Sequence, residues 1–232
     1  MTTILMALSA ADSWTLKDGS KHPTGFWAEE FVVPYDIFVN AGFDVDVATP
    51  GGKQPVVDKL SLSMKGGVFP EAAKKLEERL QELDSVLTSP KDLHLVSADD
   101  YDLIFFPGGH GPMEDLSDDA TVGTMLNNRL ASGKLLALLC HAPAALLATS
   151  TGSERSPFAG RRVTGLSNVE ERINPFSWKA KWLLQDKLEE NGLDYSMSFP
   201  FRPHIVQDDN LFTGQNPQSS EKLAKVLVAK LK

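Results

Sequence analysis

The residues best suited to chemistry in this sequence are Cys140 and His141, which directly follow a short apolar segment. That segment, Leu135–Leu139, contains no polar residue, a pattern typical of a central parallel strand that is buried on both faces. Open α/β sheets bind their ligands at the carboxyl ends of such strands. We expect a cysteine in a sharp turn there to act as a nucleophile, with its thiol pKa lowered by a helix predicted over residues 142–148. The alternative interpretation is that Cys140 is a small buried core residue.

A glycine-rich loop follows a second apolar segment. Leu103–Phe106 leads into Pro107-Gly108-Gly109-His110-Gly111, and glycines let backbone N–H groups approach a ligand closely. If the two strands are neighbours, the N–H groups of Gly109 and His141 converge as an oxyanion hole beside the sulfur. We therefore predict that Gly108, Gly109 and His110 bind the substrate, with His110 either lining the pocket or donating from the turn. Alone, such a loop is a weak signal, because tight turns need glycine for other reasons.

The elements that position these residues alternate between strands and helices. Strands are predicted over residues 4–8, 44–49, 103–106 and 135–139, and helices over residues 27–41, 120–130 and 142–148. Farther along we expect a strand at 162–164, a helix at 175–190, a hairpin formed by 205–206 and 211–213, and a terminal helix at 217–231. Strands joined by a helical crossover pair in parallel. The sequence therefore predicts an α/β fold with a doubly wound, mostly parallel sheet of the flavodoxin-like type and a nucleophile elbow.

The predicted second and third strands are separated by a long insert at about residues 51–100. Connections in α/β units usually have a few residues, so an excursion of this length is typical of a functional segment. A helix opened by proline is predicted at residues 70–83 within it. We expect a single domain over residues 1–232, in which the insert overhangs the carboxyl edge of the sheet as a lid. The alternative is a surface excursion with no role at the site.

Composition and charge restrict the classes of partner. The formal net charge of −8 disfavours nucleic acid, and no cluster of Lys and Arg offsets it locally. No segment approaches the roughly 18 apolar residues of a membrane span, and the N-terminal residues lack the basic region of a signal peptide. The single cysteine fits a reducing compartment. We expect a cytoplasmic protein with no membrane partner, no cofactor and no metal, since nucleotide-binding glycine motifs and paired Cys/His ligand spacings are missing from the sequence.

Four motifs, taken in order, carry a family resemblance. They are TGFWAEE at residues 24–30, PGGHG at 107–111, CHAPAAL at 140–146 and TGLSNVEE at 164–171. Together they resemble the ThiJ/PfpI superfamily, and more narrowly its glutathione-independent glyoxalase (glyoxalase III) class with the heat-shock-chaperone-like relatives. The resemblance spans nearly the whole chain, including the long insert.

The resemblance implies a set of site residues. It assigns the nucleophile to Cys140 with His141 beside it, the carboxylate that hydrogen-bonds the cysteine to Glu30, and the acidic partner of the histidine to Glu171. Glu29 and Glu170 stay open as alternatives within each pair, and all four acids are also explained as helix-end or surface charge. Because like charges raise one another's pKa, we expect Glu30 to be protonated while Cys140 is ionised. Ala142 departs from the glycine that relatives often carry there, and its methyl group either narrows the site or only replaces a permissive glycine.

The resemblance also implies a reaction. A cysteine hemithioacetal would convert methylglyoxal and related small 2-oxoaldehydes to 2-hydroxy acids such as lactate, without a redox cofactor. The alternatives are a protein deglycase, a cysteine hydrolase or peptidase, and a stress-response holdase chaperone with unfolded-protein clients. The relatives favour a homodimer.

Overall fold

The computed structural model describes residues 1–150, 155–173 and 177–232. Its strands are β1 (Thr3–Ala7), β2 (Ser13–Thr15), β3 (Lys21–Pro23), β4 (Asp44–Thr49), β5 (Lys91–Asp92), β6 (Leu103–Phe106), β7 (Leu135–Leu139), β8 (Arg162–Val163), β9 (Asp194–Tyr195), β10 (Ile205–Asp208) and β11 (Leu211–Gly214). Its α-helices are α1 (Ala28–Asn40), α2 (Pro70–Glu82), α3 (Asp84–Thr88), α4 (Pro112–Asp115), α5 (Ala120–Ser132), α6 (Asn168–Ile173), α7 (Leu184–Glu190) and α8 (Ser220–Leu231). Short 3-10 helices cover Pro50–Gly52, Lys59–Leu62, Met64–Gly66, Ala98–Asp100, Ala142–Thr149, Ser177–Lys179 and Pro217–Ser219.

The site lies at the carboxyl ends of central strands of the main sheet. In the described residues it has seven strands in the order β10-β11-β7-β6-β1-β4-β5. Neighbouring strands are parallel except for the antiparallel β10–β11 hairpin, which confirms the predicted α/β fold with a mostly parallel sheet. Because β6 and β7 pair in parallel with Phe106 opposite Leu138, the glycine-rich loop and Cys140 leave the sheet side by side.

Alternate residues of the central strands fill two separate cores, one on each face of the sheet. Ile4 and Phe105 pack on the face that is covered by α1 and α8. Leu5 and Phe106 pack on the opposite face, against α5 and the 3-10 helix Ala142–Thr149. Burial on both faces explains why these strands are apolar runs rather than alternating sequences. No helix in the described ranges is long and apolar enough to cross a membrane.

The insert contributes directly to the layers of the fold. Within it, α2 packs on α1, and β5 forms the edge of the sheet by pairing with β4. A strand of two residues leaves no alternation to detect, so the sequence did not predict β5. An earlier part of the insert contacts the chain just before α1, where Phe26 donates to the carbonyl of Val56 (2.8 Å) and accepts from the N–H of Asp58 (2.9 Å). A lid over the site stays a prediction, and it concerns this earlier part of the insert.

The predicted helix over residues 175–190 is wrong over its first half. Residues 175–176 lie outside the described residues, Ser177–Lys179 is a 3-10 turn, and α7 begins at Leu184. Trp182 and Leu183 instead pack against the core from the segment before α7, with Leu183 extended (φ −105°, ψ 143°). The predicted strand near 162–164 lies in a separate two-stranded sheet, since β8 pairs with β9. The spacing of apolar residues did not show where the helix begins, because apolar residues of the extended segment before α7 are buried as they would be in a helix.

Candidate active site

Cys140 occupies a strained turn at the carboxyl end of β7. Its φ of 59° lies in the left-handed region, which costs a residue with a Cβ atom about 1 to 3 kcal/mol. Two hydrogen bonds hold this turn: the Cys140 N–H donates to Gly214 (2.8 Å), and the Cys140 carbonyl accepts from the N–H of Leu166 (2.9 Å). The cysteine is 3% exposed, so it is buried as a core cysteine would be. Core packing alone does not require the strain, which is typical of a nucleophile elbow.

His141 and His110 share one buried carboxylate. Glu171 accepts a hydrogen bond from His141 Nε2 on Oε2, and its Oε1 lies 3.1 Å from His110 Nε2. The other ring nitrogen of His141, Nδ1, is 3.5 Å from the sulfur of Cys140. A proton on Nε2, held by Glu171, leaves Nδ1 as the nitrogen that can accept the thiol proton. The structure thus brings Cys140, His141 and Glu171 into one line of contacts.

The charges of this group follow from burial and from the shared carboxylate. Burial lowers the pKa of His141, which keeps that ring neutral near pH 7. Burial also disfavours a charged His110, but attraction to Glu171 outweighs it and raises the pKa of His110. The two histidines in turn overcome the burial of Glu171 and lower its pKa far below the ordinary value. Glu171 is therefore ionised, and His141 is available as a base.

Glu30 is a second acid beside the cysteine and is fully buried. Its Oε2 accepts the N–H of Gly108 (2.7 Å), while Oε1 has no partner of hydrogen-bond geometry among the described residues. Burial raises the pKa of Glu30 to about 8, although the Cys140 thiol and the Gly108 N–H both lower it. This agrees with the expected protonated Glu30. The carboxyl group of Glu30 is thus a direct neighbour of the Cys140 thiol.

The expected lowered pKa of the Cys140 thiol, and with it the expected ionised cysteine, is wrong for the resting site. Burial first, and then the neighbouring Glu30 carboxyl, raise this pKa well above the ordinary value. The segment behind the cysteine is a 3-10 helix that begins Ala142-Pro143, and Pro143 has no N–H to offer an anion. The helix N-terminus is therefore too weak to offset the loss of water. The resting cysteine is therefore a neutral thiol.

The glycine-rich loop permits a close approach that no side chain would allow. A Cβ atom on Gly108 would lie 2.7 Å from Glu30 Oε2 and 2.9 Å from the Cβ of Cys140. Gly109 has a φ of 102°, and a Cβ atom there would lie 2.3 Å from the carbonyl oxygen of Gly25. The N–H groups of Gly109 and His141 donate to none of the residues that the structure describes. Both are free to bind an oxyanion.

The structure separates the paired acids that the sequence left open. Glu30 faces the cysteine, whereas Glu29 is only half-buried and makes no hydrogen bond to the described residues through its side chain. Glu171 faces the histidines, whereas Glu170 is bonded to Ser167, Gln215 and Asn216. Glu170 and Glu171 are both buried, so surface charge does not describe them. Each pair contributes one acid to the reactive group.

Trp14 is a site residue that the sequence analysis missed. Its ring stacks on His110 with a centroid distance of 4.6 Å, and His110 in turn lies 4.3 Å from the ring of His141. Trp14 belongs to β2, which forms a small hairpin with β3 in a segment that reads as polar connection. The signal available in the sequence was a tryptophan within such a segment, since so large an aromatic side chain is usually buried; Trp14 is 2% exposed. Ala142 is buried in the same core as Leu138 and Ala145, so its methyl group contributes to packing.

His110, His141 and Glu171 are the described group whose ligand atoms lie close enough together, within 4.8 Å, to hold a metal ion. Nε2 of both histidines and both oxygens of Glu171 already contact one another. The hydrogen bonds therefore account for the arrangement without a metal.

The fold and the site define an α/β protein with a cysteine elbow beside a histidine–carboxylate pair. The sequence pattern of the DJ-1/PfpI family matches residues 23–230, and the chain belongs to this family. This confirms the resemblance drawn from the four motifs.

The chain is similar over most of its length to three named proteins. The protein/nucleic acid deglycase HchA of Staphylococcus aureus is 29% identical over an alignment of 232 positions, which covers 97% of this chain and 78% of the relative. The Rapid Encystment Protein 24 KDa of Francisella tularensis superposes with a TM-score of 0.86 at 26% identity, covering 100% of both chains. Glyoxalase III of Candida albicans gives a TM-score of 0.82 at 23% identity over 98% of this chain and 96% of that one, which establishes a shared fold.

Proposed function

We propose that the protein is a glutathione-independent glyoxalase that converts small 2-oxoaldehydes such as methylglyoxal to 2-hydroxy acids. The observation that carries the proposal is the strained Cys140, whose sulfur has both a neutral His141 and the Glu30 carboxyl as neighbours. Two unoccupied N–H groups complete the arrangement. Each step of an aldehyde-to-acid isomerisation has a group in place.

In the first step the sulfur of Cys140 adds to the aldehyde carbon. The thiol proton passes to Nδ1 of His141, 3.5 Å away, and Glu171 stabilises the resulting imidazolium. The oxygen of the hemithioacetal points at the N–H groups of Gly109 and His141, and it takes up the proton that His141 received. The aldehyde carbon is now bonded to sulfur, hydrogen, hydroxyl and the neighbouring carbonyl carbon.

In the second step a proton moves between the two substrate carbons. The ionised form of Glu30 removes the proton from the former aldehyde carbon to give an enediolate. The hydroxyl proton on that carbon moves through His141 to the oxygen of the neighbouring carbon, and Glu30 then returns its proton to that neighbouring carbon. The product is a 2-hydroxyacyl thioester of Cys140. Water hydrolyses it to the 2-hydroxy acid and the free thiol, so the sequence is redox-neutral overall. A pKa of about 8 suits Glu30 to both directions of proton transfer near neutral pH.

The closed environment favours a small substrate. Cys140 is 3% exposed, His110 is 6% exposed and Glu30 is fully buried. A peptide segment does not reach a sulfur with so little exposure without a rearrangement of the loops. This supports a small aldehyde over the peptidase alternative.

Deglycation is the second candidate function, because the Staphylococcus aureus relative carries the name protein/nucleic acid deglycase. That name sets a nucleic-acid substrate class against the expectation from the charge of −8. The same sulfur and the same base would serve both reactions, and free methylglyoxal released from a glycated amine yields lactate in either case. The two functions therefore differ in the molecule that enters the site.

The experiment that tests the proposal compares free methylglyoxal with preformed methylglyoxal adducts of a peptide and of a nucleotide, without glutathione. Each adduct is assayed with and without a small-molecule scavenger of free methylglyoxal. We expect lactate from methylglyoxal, and loss of lactate from both adducts when the scavenger is present. Enzyme-dependent lactate from an adduct that persists with the scavenger would favour the deglycase, and no reaction with any substrate by folded wild type would reject both.

A further inference from the structure

Glu170 is a buried carboxylate outside the reactive group. Its side chain accepts five hydrogen bonds: from the N–H (3.2 Å) and hydroxyl (2.7 Å) of Ser167, from the N–H of Phe201 (2.8 Å), and from the side-chain amides of Gln215 (2.8 Å) and Asn216 (2.8 Å). Glu170 is 4% exposed, and Gln215 and Asn216 are fully buried. A carboxylate that is buried and so fully bonded holds its partners in one geometry.

The partners of Glu170 come from the segments that surround the cysteine turn. Gln215 and Asn216 follow β11 directly, and the carbonyl of Gly214, the last residue of β11, accepts the N–H of Cys140. Ser167 precedes α6, the six-residue helix that carries both acids. Glu170 therefore connects the helix of Glu171 to the strand end that holds the nucleophile.

Phe201 adds evidence that Glu170 holds a constrained loop. Phe201 has a φ of 58°, a left-handed conformation that is unfavourable for an aromatic residue. Its N–H is bonded to Glu170, and the carbonyl of the next residue, Arg202, accepts from Asn216. One network thus fixes α6, the loop around residue 201 and the end of β11.

We propose that Glu170 is a positioning residue, which holds α6 so that the carboxylate of its neighbour Glu171 faces His141. This role rests on the proposed function for its effect on turnover, although the geometry exists without it. Adjacent side chains on a helix point about 100° apart, so one carboxylate fixes the rotation of α6 while the other meets the histidines. Loss of the network lets α6 rotate, and Glu171 then no longer selects the tautomer of His141.

The test follows the tautomer of His141 by NMR with isotope-labelled histidine, using Glu170→Gln beside the exposed control Glu78→Gln. The amide keeps the shape of Glu170 but turns an NH2 group toward donors. We expect wild type and Glu78→Gln to keep the proton on Nε2. We expect Glu170→Gln to give a mixture of tautomers, and the positive control Glu171→Gln to give the same mixture. An unchanged tautomer in folded Glu170→Gln would overturn the proposal. Ser167→Ala, which removes one hydroxyl, serves the same comparison if Glu170→Gln does not fold.

Turnover supplies a second, independent arm. We expect Glu170→Gln to lower kcat for lactate formation roughly 10- to 100-fold with KM changed less than about twofold, because a misplaced catalytic group affects chemistry more than binding. In a Glu171→Gln background the same change should cost almost nothing, since its target is gone. Full additivity of the two losses would contradict the positioning role. A wild type that makes no lactate would reject the proposed function, while the tautomer measurement would still decide the role of Glu170.

Discussion

Replacing Glu30 by glutamine should change how the stability of the protein depends on pH. Burial raises the pKa of Glu30 from the ordinary 4.5 to about 8, so the folded protein binds a proton that the unfolded chain has released. A raised carboxyl pKa means that the folded state is favoured by protonation. The contribution of Glu30 to the free energy of unfolding is therefore fully present below about pH 4.5 and is lost as the pH rises toward 8.

The magnitude follows from the width of that window. Each pH unit corresponds to about 1.4 kcal/mol, so raising the pH from about 5.5 to about 7.5 should remove roughly 3 kcal/mol of unfolding free energy in the wild type. Glu30→Gln has no proton to lose and should escape this decrease. The assay is urea unfolding of wild type, Glu30→Gln and Glu78→Gln at three pH values across the window.

The quantity that decides is the difference in unfolding free energy between wild type and Glu30→Gln. It should move in favour of Glu30→Gln by about 3 kcal/mol over two pH units, whereas Glu78→Gln should parallel the wild type. A difference that stays constant with pH would show that Glu30 ionises in the folded state as it does in the unfolded chain, and would refute the reasoning about its burial.

Three further predictions concern the rate, the loop and the far end of the sheet. The kcat for lactate formation should rise about tenfold per pH unit below pH 8 as Glu30 becomes a carboxylate, and a rate profile without that slope would exclude Glu30 as the base. Gly109→Ala should lose at least about 100-fold in kcat/KM, because its Cβ atom would lie 2.3 Å from the carbonyl of Gly25; steady-state kinetics on a folded variant checks this. Arg129→Met should cost about 3 kcal/mol in urea unfolding, since the buried guanidinium donates to the carbonyls of Ala98, Tyr101 and Leu135, but kcat should stay within twofold.

The strands that carry the site could be predicted from the sequence because their signal is local. Leu103–Phe106 and Leu135–Leu139 are apolar runs bounded by turn residues, and the structure has both strands with these bounds. Parallel pairing then places the residues after them together. The positions of Cys140 and the glycine-rich loop at one sheet edge thus follow from pattern and topology alone.

The features that the sequence did not predict depend on tertiary contacts. Residue type alone does not distinguish the adjacent acids Glu170 and Glu171, because the rotation of α6 decides which one meets His141; only the family resemblance favoured Glu171. The contact between Trp14 and His110 requires the β2–β3 hairpin to fold over the site. The direction of the Cys140 pKa was wrong because the extent of burial is a property of the whole fold, whereas the helix behind the cysteine is visible in the sequence.

The most direct test of the account is lactate formation from methylglyoxal without glutathione, by wild type beside Cys140→Ala and the neighbour control Glu29→Gln. The account predicts steady lactate release by wild type and Glu29→Gln and none above background by Cys140→Ala. Lactate release by folded Cys140→Ala at a rate near that of wild type would contradict the assignment of Cys140 as the nucleophile.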